Sequence, residues 1–134
     1  AAKMAEISGG EAETKTIIKR EFLGSEISQK SENGYFSATD LFKIANQLRA
    51  KKGLNPRVVD TYNSLRSTIE FEAQLAKKYI TREHKYERGR ILWVHPFLFV
   101  DMALWLFNSD FKLEVYEWIF NDLPKYIDDR YKGE

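Results

Sequence analysis

The segment WVHPFLFVDMALWLFNSDFKLEVYEWIF, residues 93–120, holds all three tryptophans and five of the nine phenylalanines of a 134-residue chain. So much aromatic surface in one place must span a membrane, hold a ligand or build a core. The uncharged run ends at Val100, and Asp101, Asp110, Lys112, Glu114 and Glu117 interrupt the remainder of the segment. A spanning helix needs about 18 consecutive apolar residues, so a membrane span is excluded. Pro96 suits a first helical turn, where its missing N–H costs nothing, and Asn108 with Ser109 supplies a stop and a restart. The pattern predicts helices over 96–107 and 109–122. In the second, Phe111, Val115, Trp118 and Ile119 share one face, which places Trp118, and by the same periodicity Trp105, in a core.

A hydrophobic content of 43% in a chain of this length supports one domain with a substantial core. With no cysteine there is no disulfide framework, thiol nucleophile or cysteine-bound zinc. Residues 1–13 are small, polar and acidic, are expected to be disordered, and carry no apolar run of the kind a secretory leader needs. An intracellular setting is the expectation. The net charge of +1 conceals a segregation: residues 43–90 carry 12 basic and 5 acidic side chains, whereas residues 1–42 carry 5 and 7, and residues 91–134 carry 4 and 8. A basic middle third between acidic flanks suggests a face for a polyanion.

Along the chain, Thr14–Phe22 reads as a strand, and Glu26–Lys30 and Gly34–Phe36 flank the turn sequence SENG as a hairpin. Ser37 followed by Asp40 is a capping-box variant. The helix it opens buries Leu41, Ile44, Ala45 and Leu48, runs to about Arg49, and ends at Lys51, Lys52 and Gly53. Asn55 and Pro56 read as the start of another helix. Its Val58, Tyr62 and Leu65 face the core with Val59 beside them, while Arg57, Asp60, Asn63, Ser64 and Ser67 face out and Thr61 and Arg66 lie at the margins. After a break near Ser67 the helix resumes through Ile69, Phe71, Leu75 and Ala76. Residues 80–94 form a basic hairpin turning at Glu87–Arg90.

Helix, short turn, helix, longer helix and basic hairpin succeed one another as in a winged helix-turn-helix, whose second helix enters the major groove. The expected fold is therefore α+β, with N-terminal strands, a helix pair, the basic hairpin and two C-terminal core helices. Candidate nucleic-acid contacts are Lys51, Lys52, Asn55, Arg57, Thr61, Asn63, Ser64 and Arg66 on the turn and second helix. Arg82, His84, Lys85, Arg88 and Arg90 join them on the hairpin. Short polar and cationic groups suit the base edges, and the flanking cations suit phosphates. Asp60 argues against a simple phosphate-binding face, though an acid can accept from cytosine.

Enzyme readings fare worse. His84 and His95 are the only imidazoles, with no spacing for zinc, and His95 before Pro96 is expected to cap or pack at a helix start. Glu70, Glu72, Asp101 and Glu117 are the carboxylates a magnesium ion would need, but they show no nuclease spacing, and no Gly-rich phosphate loop exists. No catalytic residue, metal or cofactor is expected.

GYFSATDLFKIAN (34–46) resembles the capped first helix of the KilA-N domain, and ILWVHPFLFVDMALWLFNSDFKLEVYEWI (91–119) resembles its C-terminal half. VVDTYNSLRSTIEF (58–71) is similar to the family's middle helices. The resemblance covers roughly residues 14–123, leaving 124–134 as a tail. It implies an origin among bacteriophages or large DNA viruses, a relation to the APSES DNA-binding domains, and a winged-helix-like fold. On this chain the implied DNA-contacting elements are residues 56–67 and 80–93. The expected partner is double-stranded DNA, in a regulatory role. The rival expectation is an antirepressor-type protein-interaction module using exposed aromatics of the C-terminal third.

Overall fold

The structure, a computed structural model, describes residues 17–85, 90–107 and 111–127. It is an α+β fold on a five-stranded antiparallel sheet of order β1-β2-β3-β5-β4, formed by Ile17–Phe22, Ser25–Lys30, Phe36–Ser37, Arg82–Lys85 and Ile91–Val94 in chain order. β1 and β2 join through Leu23 and Gly24, both at positive φ (49° and 81°). Two left-handed residues match the right-handed twist of paired strands, and Glu21 Oε2 accepts from the Gly24 N–H at 2.9 Å. This hairpin carries no Asn-Gly signature and is absent from the sequence expectation. The SENG hairpin forms as expected: Gly34 takes φ +80°, and the Lys30 N–H donates to the Tyr35 carbonyl at 2.9 Å.

Helix α1 (Ala38–Lys51) starts where the capping pattern places it, with the Ser37 hydroxyl accepting from the Asp40 N–H at 3.0 Å. The acid of the pattern does not reach back to Ser37. Asp40 Oδ2 accepts instead from the Ser28 N–H at 2.9 Å, tying the helix to β2. At the other end Leu54 N–H donates to the Arg49 carbonyl and Gly53 N–H to the Ala50 carbonyl, a Schellman stop with Gly53 at φ +74°.

The next helix departs from expectation. α2 spans only Val59–Asn63, and Asn55 and Pro56 lie outside it. The cause lies upstream, in α1. The Asn46 amide holds Arg57 from both sides, accepting from its N–H at 2.8 Å and donating to its carbonyl at 2.9 Å. That bracket competes with helical hydrogen bonding. Val58, expected inward, is 55% exposed, while Tyr62 is buried. The chain breaks at Ser64 and Leu65 and resumes as α3 (Arg66–Leu75). Ile69 of this helix is also exposed.

β4 and β5 pair with Lys85 opposite Ile91, so the basic hairpin is present. Its expected turn at 87–90 falls largely outside the described residues. α4 (Pro96–Leu106) begins at His95, whose Nδ1 accepts from the Phe97 N–H at 3.0 Å. α5 (Lys112–Glu117) passes through a π turn, Trp118–Asp122, into α6 (Leu123–Tyr126). Ser109 lies outside the described residues, but the helix expected to start there begins only at Lys112, because Phe111 sits at φ 62°, and the folded chain runs past residue 123 through Ile127. The π turn is a consequence of Pro124. Proline has no N–H for the Phe120 carbonyl and its ring would crowd that oxygen. The Leu123 N–H bonds to the Trp118 carbonyl five residues back, which keeps Trp118 and Leu123 both buried.

The aromatic stretch 93–120 builds the core. Phe99 stacks on Phe36 at 4.7 Å, Trp118 meets the Phe22 edge at 4.9 Å, and the Trp118 indole N–H donates to the Glu21 carbonyl at 2.8 Å. Leu98, Met102, Ala103, Leu106 and Phe107 are buried around them, so α4 is the central helix packed between sheet and partners. Trp105 is only half-buried.

Candidate nucleic-acid interface

The cations of the basic third divide into half-buried and exposed ones. Arg57 belongs to the first group. Its Nη1 donates to the Trp105 carbonyl at 2.7 Å and its guanidinium lies 4.9 Å from the Trp105 ring centre. Expected to face outward, Arg57 is half-buried and bonds the 54–58 link to α4. Arg82 also belongs there, for Glu72 accepts from its Nε at 2.8 Å and its Nη2 at 2.9 Å, a two-pronged pair. Thr81 Oγ1 donates to the same carboxylate at 2.6 Å. Burial alone would raise the Glu72 carboxyl, but the bonds from Arg82 and Thr81 outweigh it and hold the carboxyl below its ordinary value.

Lys51, Lys52, Asn55, Thr61, Ser64, Arg66 and Arg90 are exposed. The Lys52 ammonium lies 4.7 Å from the Phe111 ring centre, the Asn55 carbonyl accepts from Arg49 Nε at 2.7 Å, and the Ser64 hydroxyl donates to the Thr61 carbonyl at 2.8 Å. Arg66 holds Glu70 only loosely, at 3.7 Å. Asn63 is half-buried. The side chains of His84 and Lys85, and Arg88 entirely, lie outside what the structure describes. Three exposed lysines add to the set expected from sequence: Lys43 on α1, and Lys77 and Lys78 after α3. Lys43 has a legible signal, since it falls opposite the buried Leu41, Ile44 and Ala45 stripe.

The helix pair is fixed to the core by Tyr62, whose hydroxyl donates to Asp101 Oδ2 on α4 at 2.6 Å. Burial, then the hydrogen bond and charge of Asp101, pushes the Tyr62 phenol well above its ordinary value. Two of the carboxylates that a magnesium ion would need are thus spoken for, Glu72 by Arg82 and Asp101 by Tyr62. Among the described residues no group of three or more His, Asp or Glu is placed to hold a metal ion.

A five-stranded antiparallel sheet with a capped first helix, short middle helices and an aromatic C-terminal half is the setting in which the family comparison falls. The model of the KilA-N domain matches residues 21–123. The chain belongs to the KilA-N domain family. The match takes in the sheet from the end of β1, the whole basic third and the helices through the π turn. The KilA-N family is generally linked to DNA binding. No curated protein and no solved structure matches the chain. Among the described residues no helix is long and apolar enough to cross a membrane.

Proposed function

We propose that this KilA-N domain binds double-stranded DNA non-enzymatically, as a regulatory module, through its basic middle third. The observation carrying this reading is the set of exposed cations in that third: Lys43, Lys51, Lys52, Arg66, Lys77, Lys78 and Arg90. In this reading the short polar groups of α2, Thr61 and Ser64, approach base edges. The lysines and the β4–β5 hairpin straddle phosphates. Arg57 and Arg82 hold the elements in place rather than touching DNA. Phosphate contacts position a protein and release counterions, so neutralising about five phosphates gives a log–log salt slope near −4 to −5.

The test is fluorescence anisotropy with a labelled random duplex of about 30 base pairs, titrated from 50 to 300 mM salt. A steep fall of affinity with salt is expected. A curve indifferent to salt, or no binding at the low-salt end, refutes the mechanism.

A further inference from the structure

The face of α5 and its π turn that points away from the core is apolar where an amphipathic helix carries charge. Leu113 is 68% and Phe120 74% exposed, with Tyr116 between them at 40%. These positions, i, i+3 and i+7, form one stripe opposite the buried Val115 and Trp118. A shallow groove on the same segment is lined by Ile119, Leu123, Pro124 and Ile127. The π turn takes part in this. By burying Trp118 and Leu123 together it leaves Phe120 pointing outward.

The border of the stripe limits what covers it. Along one edge run Glu114, Glu117 and Asn121, which with Glu21 and Asp122 line an adjoining acidic depression. Residues 91–134 carry 8 acidic against 4 basic side chains. Phosphates are repelled from such a surface, so DNA is not its ligand. A second copy docked antiparallel about a twofold axis sets the Glu117 edge against the same edge of its mate, like charge on like.

We propose that this face docks an amphipathic helix of a partner protein. Its apolar residues at i, i+3 or i+4, and i+7 would seat on Leu113, Tyr116 and Phe120, and Lys or Arg along its flank would meet Glu114 and Glu117. The surface is distinct from the exposed cations of the middle third, so one molecule is able to hold a polyanion and a cationic helix at once.

The test uses the full chain and two fluorescein-labelled helical peptides of about 18 residues, long enough for two to three heptads of contact. They share one leucine stripe and differ only in carrying Lys or Glu at the flanking positions. The Lys peptide is expected to bind at least about tenfold more tightly than the Glu peptide. Leu113→Ser and Phe120→Ser should each weaken it about tenfold or more, with the thermal melt and duplex affinity unchanged. Because both side chains are exposed, these variants are not expected to unfold. Glu114→Gln with Glu117→Gln should abolish the preference for Lys over Glu. Equal affinities for the two peptides, no binding of either, or Ser variants that bind like the wild type would overturn the proposal. So would sedimentation showing a wild-type dimer that Phe120→Ser dissociates, which would make the occupant a second copy.

Discussion

His95 offers a stability test that needs no ligand. Its ring is fully buried, packed 4.5 Å from the Tyr79 ring centre and 4.7 Å from Phe97, with Nδ1 accepting from the Phe97 N–H. Burial pushes its pKa down from 6.5 to about 4. The neutral ring therefore belongs to the folded state. In the unfolded chain the imidazole takes up a proton below pH 6.5, whereas in the fold it does not until about pH 4. Between those values the unfolded state binds more protons, so stability falls as pH falls. A pKa difference of one between the two states is worth about 1.4 kcal/mol, which gives a loss on the order of 3 kcal/mol across the window. Below it the contribution is constant, and above pH 6.5 it is fully present.

The comparison is with His95→Asn, because an asparagine side chain is a good N-cap acceptor and does not titrate. The smaller side chain leaves a void that lowers stability at every pH. Urea unfolding detected by tryptophan fluorescence, at intervals from about pH 7.5 to 3.5, brackets the window and gives both curves. The Glu72 carboxyl, held down in the fold, titrates in both proteins and cancels in the difference. The advantage of wild type over variant should shrink from pH 6.5 to about 4. Parallel curves across that range would refute the assignment of a buried, neutral cap.

Arg57→Ala should lower stability by about 2–3 kcal/mol, from a charged hydrogen bond and a ring contact, without changing the relative affinity for different duplexes. Denaturation and competition binding read the two separately. Asn46→Ala removes both bonds that bracket Arg57 and should cost about 1–3 kcal/mol, with faster amide exchange across residues 54–58 in hydrogen-exchange measurements. Lys51→Ala with Lys52→Ala should weaken binding to all duplexes and flatten the log–log salt slope by about 2. Arg82→Ala strands the Glu72 carboxylate with only Thr81 and should destabilise the fold by about 2–3 kcal/mol, read as a lower urea midpoint.

What sequence reveals here depends on how far each determinant reaches. Ser37, Gly53 and Pro96 act within a turn or two of themselves, so both ends of α1 and the start of α4 are legible. Of the expected stripe, Val115 and Trp118 are legible as core because helical periodicity repeats them, whereas Phe111 takes a left-handed conformation ahead of the helix and Ile119 falls in the π turn. The second helix is not, because the residue deciding it, Asn46, sits in another element and acts through hydrogen bonds that leave no periodic trace. For the same reason periodicity places Val58 in the core, whereas it is exposed. At the interface, residue type announces positive charge but not its commitments. Arg57 and Arg82 look like Lys51 and Lys52 in sequence, and only packing shows that they bond to Trp105 and Glu72. The β1–β2 turn is invisible because Leu23, not an asparagine or glycine, takes the first left-handed position.

The π turn also sets where the chain tolerates a change of length. It holds one residue more than an α-helical turn between Trp118 and Leu123. Removing that surplus residue would turn the Leu123–Trp118 bond into an ordinary α-helical one, whereas inserting one more residue there would rotate the rest of the chain by about 100°. Leu123 would swing out of the core, and the Tyr126 carbonyl would leave the Gln29 amide, 3.0 Å away and 97 positions earlier in the chain. Tyr126 would also leave the Arg20 guanidinium that now lies 4.5 Å from its ring centre. Nearly any side chain is acceptable at the exposed Asn121, yet an added residue beside it is not, so an insertion scan through residues 119–122 should be far more damaging than an alanine scan of the same positions.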